Sequence, residues 1–475
     1  MMGFRDFREF IATVDSFGEL RRIEGADPNL EIGAITEVAA SYPGCPMLLF
    51  DNIKACEPGY RLVSNLLHTE RRLALALGES PDLKGVELIR RWKEGIGKIT
   101  EGPPPLEVKE GPVQENLVTA DKVDILKFPA VKWHELDGGR YFAGEVTVMK
   151  DPDEGYLNAG IYRLQVHDKN TLSLFIEPGK HGKLIYQKYW ERGQSCPVAI
   201  SLGQTPALFL ASTLFAPFGT SEYNIAGLIN GGPIEVLRGP LTGLLVPATA
   251  EVVFEGEVLP PEVESRKEGP FGEATGYYAS SARPEPVIKI RSIMHRNDPI
   301  ILGAPPMRPL PGLGHFPANF RCATLWSDLE KVGIPNIKGV WQHGYGMMVI
   351  SLKQKYAGHA KQAALIAAGS RGAHIIRFIV IVDDDVDPYD VMEVMWAVGT
   401  RCDPERDIEI IRDGWSGPID PLPTREQRAR NEWTTAKVLI NACRPIFRRN
   451  DFAEVVAVSP ALREETIKKW GKLLE

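Results

Sequence analysis

Apolar residues recur at helical spacing near the start of the chain, at Phe4, Phe7, Phe10, Ile11 and Val14, and this stripe predicts a surface helix packed on its own domain. Residues 47–50 and 60–63 then read as short strands. A helical pattern over 68–99 stops at the Gly-Pro-Pro-Pro run 102–105, the first boundary signal. From about 120 to 300 the period becomes that of short strands, at 144–149, 160–166, 172–176, 198–200, 234–237, 251–258 and 287–290. That density, broken by Gly/Pro turns, predicts a barrel or sandwich with a few inserted helices. Farther on, strand 346–352, helix 359–369, strand 375–382 and helix 388–400 alternate as a parallel α/β layer does. Residues 424–475 read as a charged linker and a terminal helix suited to assembly.

Composition narrows this picture. A length of 475 residues corresponds to about two to four domains and an ample core, so no disulfide or zinc staple is required. Forty-five glycines and 37 prolines exclude a long helical bundle. A net charge of −7 argues against bulk nucleic-acid binding, and no apolar run approaches the ~20 residues of a membrane span. Acids and aromatics stand where a signal peptide would carry its basic and apolar regions, so a cytoplasmic protein is expected. The six cysteines lack the short spacers of metal or redox motifs and read as reduced thiols.

Candidate chemistry sits at a few places. The acids at 383–387 follow a strand and precede a helix, so capping is favoured over a metal site by about three to one. Gly344-Tyr345-Gly346 lacks the third glycine of a dinucleotide turn. In Glu268-Gly269-Pro270-Phe271-Gly272-Glu273 two carboxylates lie five apart across a shaped turn. Neighbouring carboxylates push at least one pKa up and leave a neutral acid, although a hairpin with solvated acids has better than even odds on composition alone. Strand alternation puts Asn158, Gly160 and Tyr162 on one face and Arg163 on the other, unless Gly160 twists the strand. A guanidinium there suits a substrate carboxylate, yet a surface arginine is the commoner outcome. Glu177-Pro178-Gly179-Lys180-His181-Gly182 leads into a helix whose first amides suit an anion, and Ser221-Glu222-Tyr223 closes a second Gly-rich segment.

Taken together, the 158–163 strand, Lys180-His181-Gly182, Ser221-Glu222-Tyr223, the Glu268–Glu273 turn, Lys355-Tyr356-Ala357-Gly358-His359, Asp385-Val386-Asp387-Pro388-Tyr389 and Thr400-Arg401-Cys402-Asp403-Pro404 resemble the UbiD family of prenylated-FMN-dependent reversible decarboxylases, from the first helix to about residue 443. The resemblance implies a mixed α/β fold: an N-terminal α/β domain (1–118), a central split β-barrel like that of flavin reductases (119–315), a C-terminal α/β domain (316–443) and a helical tail (444–475) for oligomer contact. It implies prenylated FMN made by a separate flavin prenyltransferase, its phosphate held with Mn²⁺ or Mg²⁺ and K⁺ or Na⁺. Carried over, Asn158, His181 and Glu222 resemble the metal ligands, a hard donor set. Lys355 resembles the phosphate lysine, and Tyr162, Gln187 and Ser221 further cofactor neighbours. Arg163, Glu268 and Glu273 resemble the catalytic triad, with Glu273 protonating a covalent flavin adduct after CO₂ leaves and Arg163 orienting the carboxylate.

The implied substrate is an aromatic, heteroaromatic or α,β-unsaturated acid, in a homodimer or homohexamer. Met307, Arg308, Leu310, Leu313, His315 and Phe316 are expected to line its pocket, with Arg308 or His315 as readily facing solvent. Two other classes compete: a non-catalytic scaffold subunit of a multi-protein carboxylase, which loss of a triad residue would signal, and a flavin reductase on the same barrel, which needs no acid pair.

Overall fold

The computed structural model describes residues 3–42, 44–214, 216–308, 316–448 and 451–474. Helix Phe7–Ser16 forms where the apolar stripe predicts it, capped by Asp6, whose carboxylate accepts the Glu9 N–H at 2.9 Å. Phe7, Phe10, Ile11 and Val14 are buried, and each phenylalanine contributes about 2–3 kcal/mol on leaving water. The helix packs beyond its own domain, because Arg8 forms a two-pronged ion pair with Glu251 at 2.7 and 2.9 Å. Strands Leu20–Glu24, Met47–Asp51, Arg61–Ser64 and Ile300–Gly303 build a four-stranded sheet in that order. The chain therefore returns to the first sheet after completing the central one. The helical stretch after residue 68 divides into Glu70–Ala76 and Gly85–Ile96.

The central sheet has ten strands and is antiparallel throughout. Its path runs Arg140–Phe142, Arg163–Asp168, Thr171–Phe175, Arg283–His295, Val252–Val258, Cys196–Leu202, Val146–Lys150, Leu157–Gly160, with Asn116–Thr119 and Ser265–Glu268 also paired to the long strand 283–295. The expected strand 160–166 is two strands. Leu157–Gly160 ends the path at one edge, while Arg163–Asp168 lies second from the other. Only Ile161 and Tyr162 join them, so the sheet must curl until its two ends nearly meet. The predicted strand at 234–237 stands outside this sheet. As Glu235–Arg238 it joins Leu245–Pro247 and Leu106–Glu107 in a separate three-stranded sheet.

The third layer is a five-stranded sheet in the order Ile337–His343, Met347–Leu352, Phe378–Asp383, Thr434–Ala442, Ile408–Trp415, its inner three strands parallel and its outer two antiparallel. Helices His359–Gly369 and Val391–Arg401 fall where the pattern places them. The 424–475 linker reading fails at Thr434–Ala442, a strand inside this sheet. Its apolar run is broken by Lys437, which is buried and donates to the Ala373 and His374 carbonyls. Helix Pro460–Leu474 closes the chain with Leu462, Ile467, Trp470 and Leu473 exposed. All six cysteines are free thiols, and no helix among the described residues is long and apolar enough to cross a membrane.

Candidate active site

The two halves of the site flank the link at 161–162. On one side, the turn after strand Ser265–Glu268 places both glutamates on Arg163. Its Nη2 donates to Glu268 Oε2 and its Nη1 to Glu273 Oε1, each at 2.7 Å. Ser280 Oγ donates to the same Glu273 oxygen at 2.9 Å. Glu268 is completely buried and Glu273 is 8% exposed, so the solvated-hairpin alternative is excluded. Behind them, the Tyr141 hydroxyl lies 3.1 Å from Glu268 Oε1 and 3.0 Å from Gln165 Oε1, and Gln165 Oε1 also accepts the Gly269 N–H at 2.8 Å. The turn is possible because Gly269 adopts φ +84° and because Gly138, which donates to the Pro270 carbonyl at 2.8 Å, has no side chain to overlap the Gly269 carbonyl. The guanidinium of Arg163 rests 4.2 Å from the centre of the Phe175 ring.

Burial pushes the Glu273 carboxyl up to about 7, against the opposing pull of Arg163 and the Ser280 hydrogen bond. Two carboxylates share one guanidinium, and the outer one holds a proton near neutral pH. Tyr141 is driven far above its ordinary range by burial and then by the Glu268 charge, so it stays a hydrogen-bond donor.

On the other side, Ser221 caps helix Glu222–Asn230 and turns Glu222 inward, where it is 3% exposed. Glu222 Oε1 accepts from Asn158 Nδ2 at 3.0 Å and Oε2 from the Ala159 N–H at 2.7 Å. The Tyr162 hydroxyl donates to Asn158 Oδ1 at 2.9 Å and accepts the Gly182 N–H at 3.1 Å. This brings the start of helix His181–Trp190 against the strand. A Cβ on Gly182 would stand 2.8 Å from the Tyr162 ring, which is why the ring fits only against glycine. His181 itself lies edge-on to Phe218 with ring centres 5.2 Å apart.

No three His, Cys, Asp or Glu side chains among the described residues form a metal-holding group, so a cation here depends on the Asn158 amide oxygen as well. The donor types would suit one: Glu222 is a buried carboxylate raised to about 7 by burial, hydrogen-bonded to the Asn158 amide and without a salt bridge among the described residues. Tyr162 N–H donates to Glu145 Oε1 at 3.0 Å, and Glu145, wholly buried with its carboxyl pushed up to about 8 by burial, also accepts the Gly144 N–H. Sequence reasoning missed this anchor of the link, since an acid at the start of a strand carries no local signal.

Other expected site residues fall elsewhere. Lys355 is exposed in the loop after strand Met347–Leu352, at the opposite end of that strand from Tyr345. Six strand residues separate the two ends by about 17 Å. Tyr345 feels the charges of Arg321, Glu177 and Glu273, and His181 those of Lys180 and Arg371. The cations that the C-terminal layer turns toward the barrel are thus Arg321 and Arg371, and the structure does not bring Lys355 to them. Gln187 is exposed on the His181 helix. Met307 is buried against Ala40 and Cys45 of the N-terminal region, and Arg308 is exposed. Leu310, Leu313 and His315 lie outside the described residues, and Phe316 begins helix Phe316–Lys331. The aspartates at 383–387 are structural: Arg401 grips Asp385 at 2.8 and 2.9 Å, and Asp383 accepts the Arg444 N–H at 2.7 Å.

The curled antiparallel sheet holds two buried acids on one arginine, and three adjoining family models match the chain. They are the N-terminal, Rift-related and C-terminal domains of 3-octaprenyl-4-hydroxybenzoate carboxy-lyase, over residues 11–92, 106–309 and 318–442. The chain belongs to that family, UbiD. It is 32% identical to a phenolic acid decarboxylase of Bacillus subtilis over 459 residues, 94% of this chain and 93% of the relative. Vanillic acid decarboxylase of Sedimentibacter hydroxybenzoicus in its open form superposes with a TM-score of 0.87 at 28% identity, covering 99% of both chains. An evolved dimeric form of the UbiD-class enzyme HmfF of Pelotomaculum thermopropionicum, in complex with prFMN, gives 0.81 at 28% identity, covering 97% of this chain and 98% of that one.

Proposed function

We propose that this chain decarboxylates an aromatic, heteroaromatic or α,β-unsaturated carboxylic acid without net oxidation, reversibly at high CO₂. Prenylated FMN would be its cofactor, Asn158, His181 and Glu222 would be the residues that hold Mn²⁺ or Mg²⁺, and K⁺ or Na⁺ would be the monovalent partner. When bound, that flavin supplies the electron sink that an sp² carbanion needs and side chains lack. Arg163, resting against the Phe175 ring, orients the substrate carboxylate, and its charge is held in place by Glu268. Glu273 carries the proton that replaces CO₂ on carbon, delivering it from the oxygen not engaged by Arg163 and Ser280. Ser280 and Arg163 then receive the carboxylate that remains, which lowers the cost of the transfer. A flavin prenyltransferase supplies the cofactor, and the exposed apolar positions of the terminal helix support a homo-oligomer.

The observation that carries this reading is a buried acid raised to about 7 and fixed on a buried arginine. Co-expression with a flavin prenyltransferase, a visible spectrum, and a screen of aromatic and unsaturated acids for CO₂ release test it directly. Modified-flavin absorbance with release from at least one acid is expected. Absence of both defeats it.

A further inference from the structure

The chain crosses the open seam of the central sheet twice. Residues 143–145 lead from strand Arg140–Phe142, at one edge, to strand Val146–Lys150, next to the other edge, and residues 161–162 make a second crossing to Arg163–Asp168. The strand ladder stops at a seam, so the two crossings need another tie, and Glu145 supplies it. Its Oε2 accepts the Gly144 N–H of its own crossing and its Oε1 the Tyr162 N–H of the other, each at 3.0 Å. The first crossing is itself fixed. The Ala143 carbonyl accepts the Ala304 N–H at 2.7 Å, and the Gly144 carbonyl accepts from the buried Gln204 amide at 3.0 Å. A Cβ on Gly144 would stand 2.8 Å from Leu302, so the main chain here lies directly against strand Ile300–Gly303. Glu145 is wholly buried, and no cation pairs with it among the described residues. A leucine would fill a similar space without the desolvation cost of a carboxyl, so packing alone does not account for the acid.

We infer that Glu145 is a positioning residue that keeps the Asn158–Glu222 half of the site and the Arg163 half in register. The inference rests on the decarboxylase reading for what the two halves do. Tyr162 transmits the hold: Glu145 accepts its N–H, its hydroxyl donates to Asn158 Oδ1, and Arg163 is the next residue of the chain. A substitution inside one half removes a group from that half. Loss of Glu145 removes no group that touches cation or substrate, yet it frees the segment on which both halves hang, so both should weaken together.

The test reads the halves separately. Fluorescence titration with FMN in the presence of Mn²⁺ reports the cation half, and CO₂ release per bound flavin reports the carboxylate half. Hydrogen–deuterium exchange of peptides spanning 160–164 reports the crossing without turnover. Glu145→Leu removes both acceptors. It should weaken FMN binding about tenfold, lower release per bound flavin about tenfold, and speed exchange at the crossing. Glu145→Gln keeps one acceptor oxygen and should recover part of all three. A Leu variant that weakens only one half or neither, or a Gln variant that recovers nothing, overturns the proposal. Where Glu145→Leu does not fold, Glu145→Gln against the unmodified enzyme decides: losses in both halves support the register, and a loss in one or neither overturns it. Release is scored first on the unmodified enzyme, so its absence with every acid sinks the decarboxylase reading alone. FMN affinity and exchange then still decide on Glu145, and both unchanged in either variant would remove it from the role.

Discussion

Glu273 and Glu222 are both buried and both raised to about 7, yet the surroundings that produce this are opposite. Glu273 faces a permanent cation 2.7 Å away and a hydroxyl donor, and burial still prevails. Glu222 meets an amide side chain and a backbone N–H. The first region is an acid pair joined to a cation within the protein, an arrangement that suits the proposed proton transfer. The second is a buried carboxylate whose hydrogen-bond partners are an amide and a backbone N–H and on which the Lys180 charge acts, and it would suit a bound cation. Similar proton affinities can therefore mark unrelated tasks, and it is the partners that tell them apart.

Mutations should split the two regions. Glu273→Gln has the largest expected effect: CO₂ release should fall by about 10²–10⁴-fold, the range for loss of a general acid, with flavin occupancy retained in the visible spectrum. Normal turnover would remove Glu273 from the role. His181→Ala should act in reverse, lowering bound divalent metal, measured by elemental analysis, and flavin retention with it. Unchanged occupancy of both would reject the ligand assignment. Gly138→Ala forces a methyl into the Gly269 carbonyl, and the displaced turn should cost about 1–3 kcal/mol in thermal or urea unfolding while slowing turnover more than it loosens flavin.

The smallest effect is a shift in pH. With Glu273 raised, the proton-carrying form persists below about pH 7, so kcat should decline as pH rises through that value. Ser280 donates to the ionised form and holds the pKa down, so Ser280→Ala should move this alkaline limb upward by up to about one unit. A downward shift would mean that Ser280 acts on another group.

What the sequence revealed follows the range of the interactions involved. The acid turn was legible because Gly269, Pro270 and two glutamates lie within six residues, and Arg163 because its strand is locally β in pattern. The break at 161–162 was not, since a β run looks the same whether it serves one strand or both ends of a closed sheet. Strand Thr434–Ala442 was hidden by Lys437, whose ammonium is satisfied by carbonyls some sixty residues earlier. Lys355 shows a related limit: a motif at a strand's end does not say which end of the sheet faces the barrel. Arg321 and Glu145 gave no local signal, because their partners are fixed only by tertiary packing.

The two-residue link also acts as a ruler. Asn158 and Arg163 are five residues apart along one chain, and a fully extended backbone covers that interval in about 17 Å. No opening of the layers or loosening of the barrel can carry the Asn158 backbone farther than that from the Arg163 backbone. One residue inserted at 161 or 162 would lengthen this span by about 3.3–3.6 Å and displace Tyr162, whose N–H and hydroxyl tie the link to Glu145, Asn158 and Gly182.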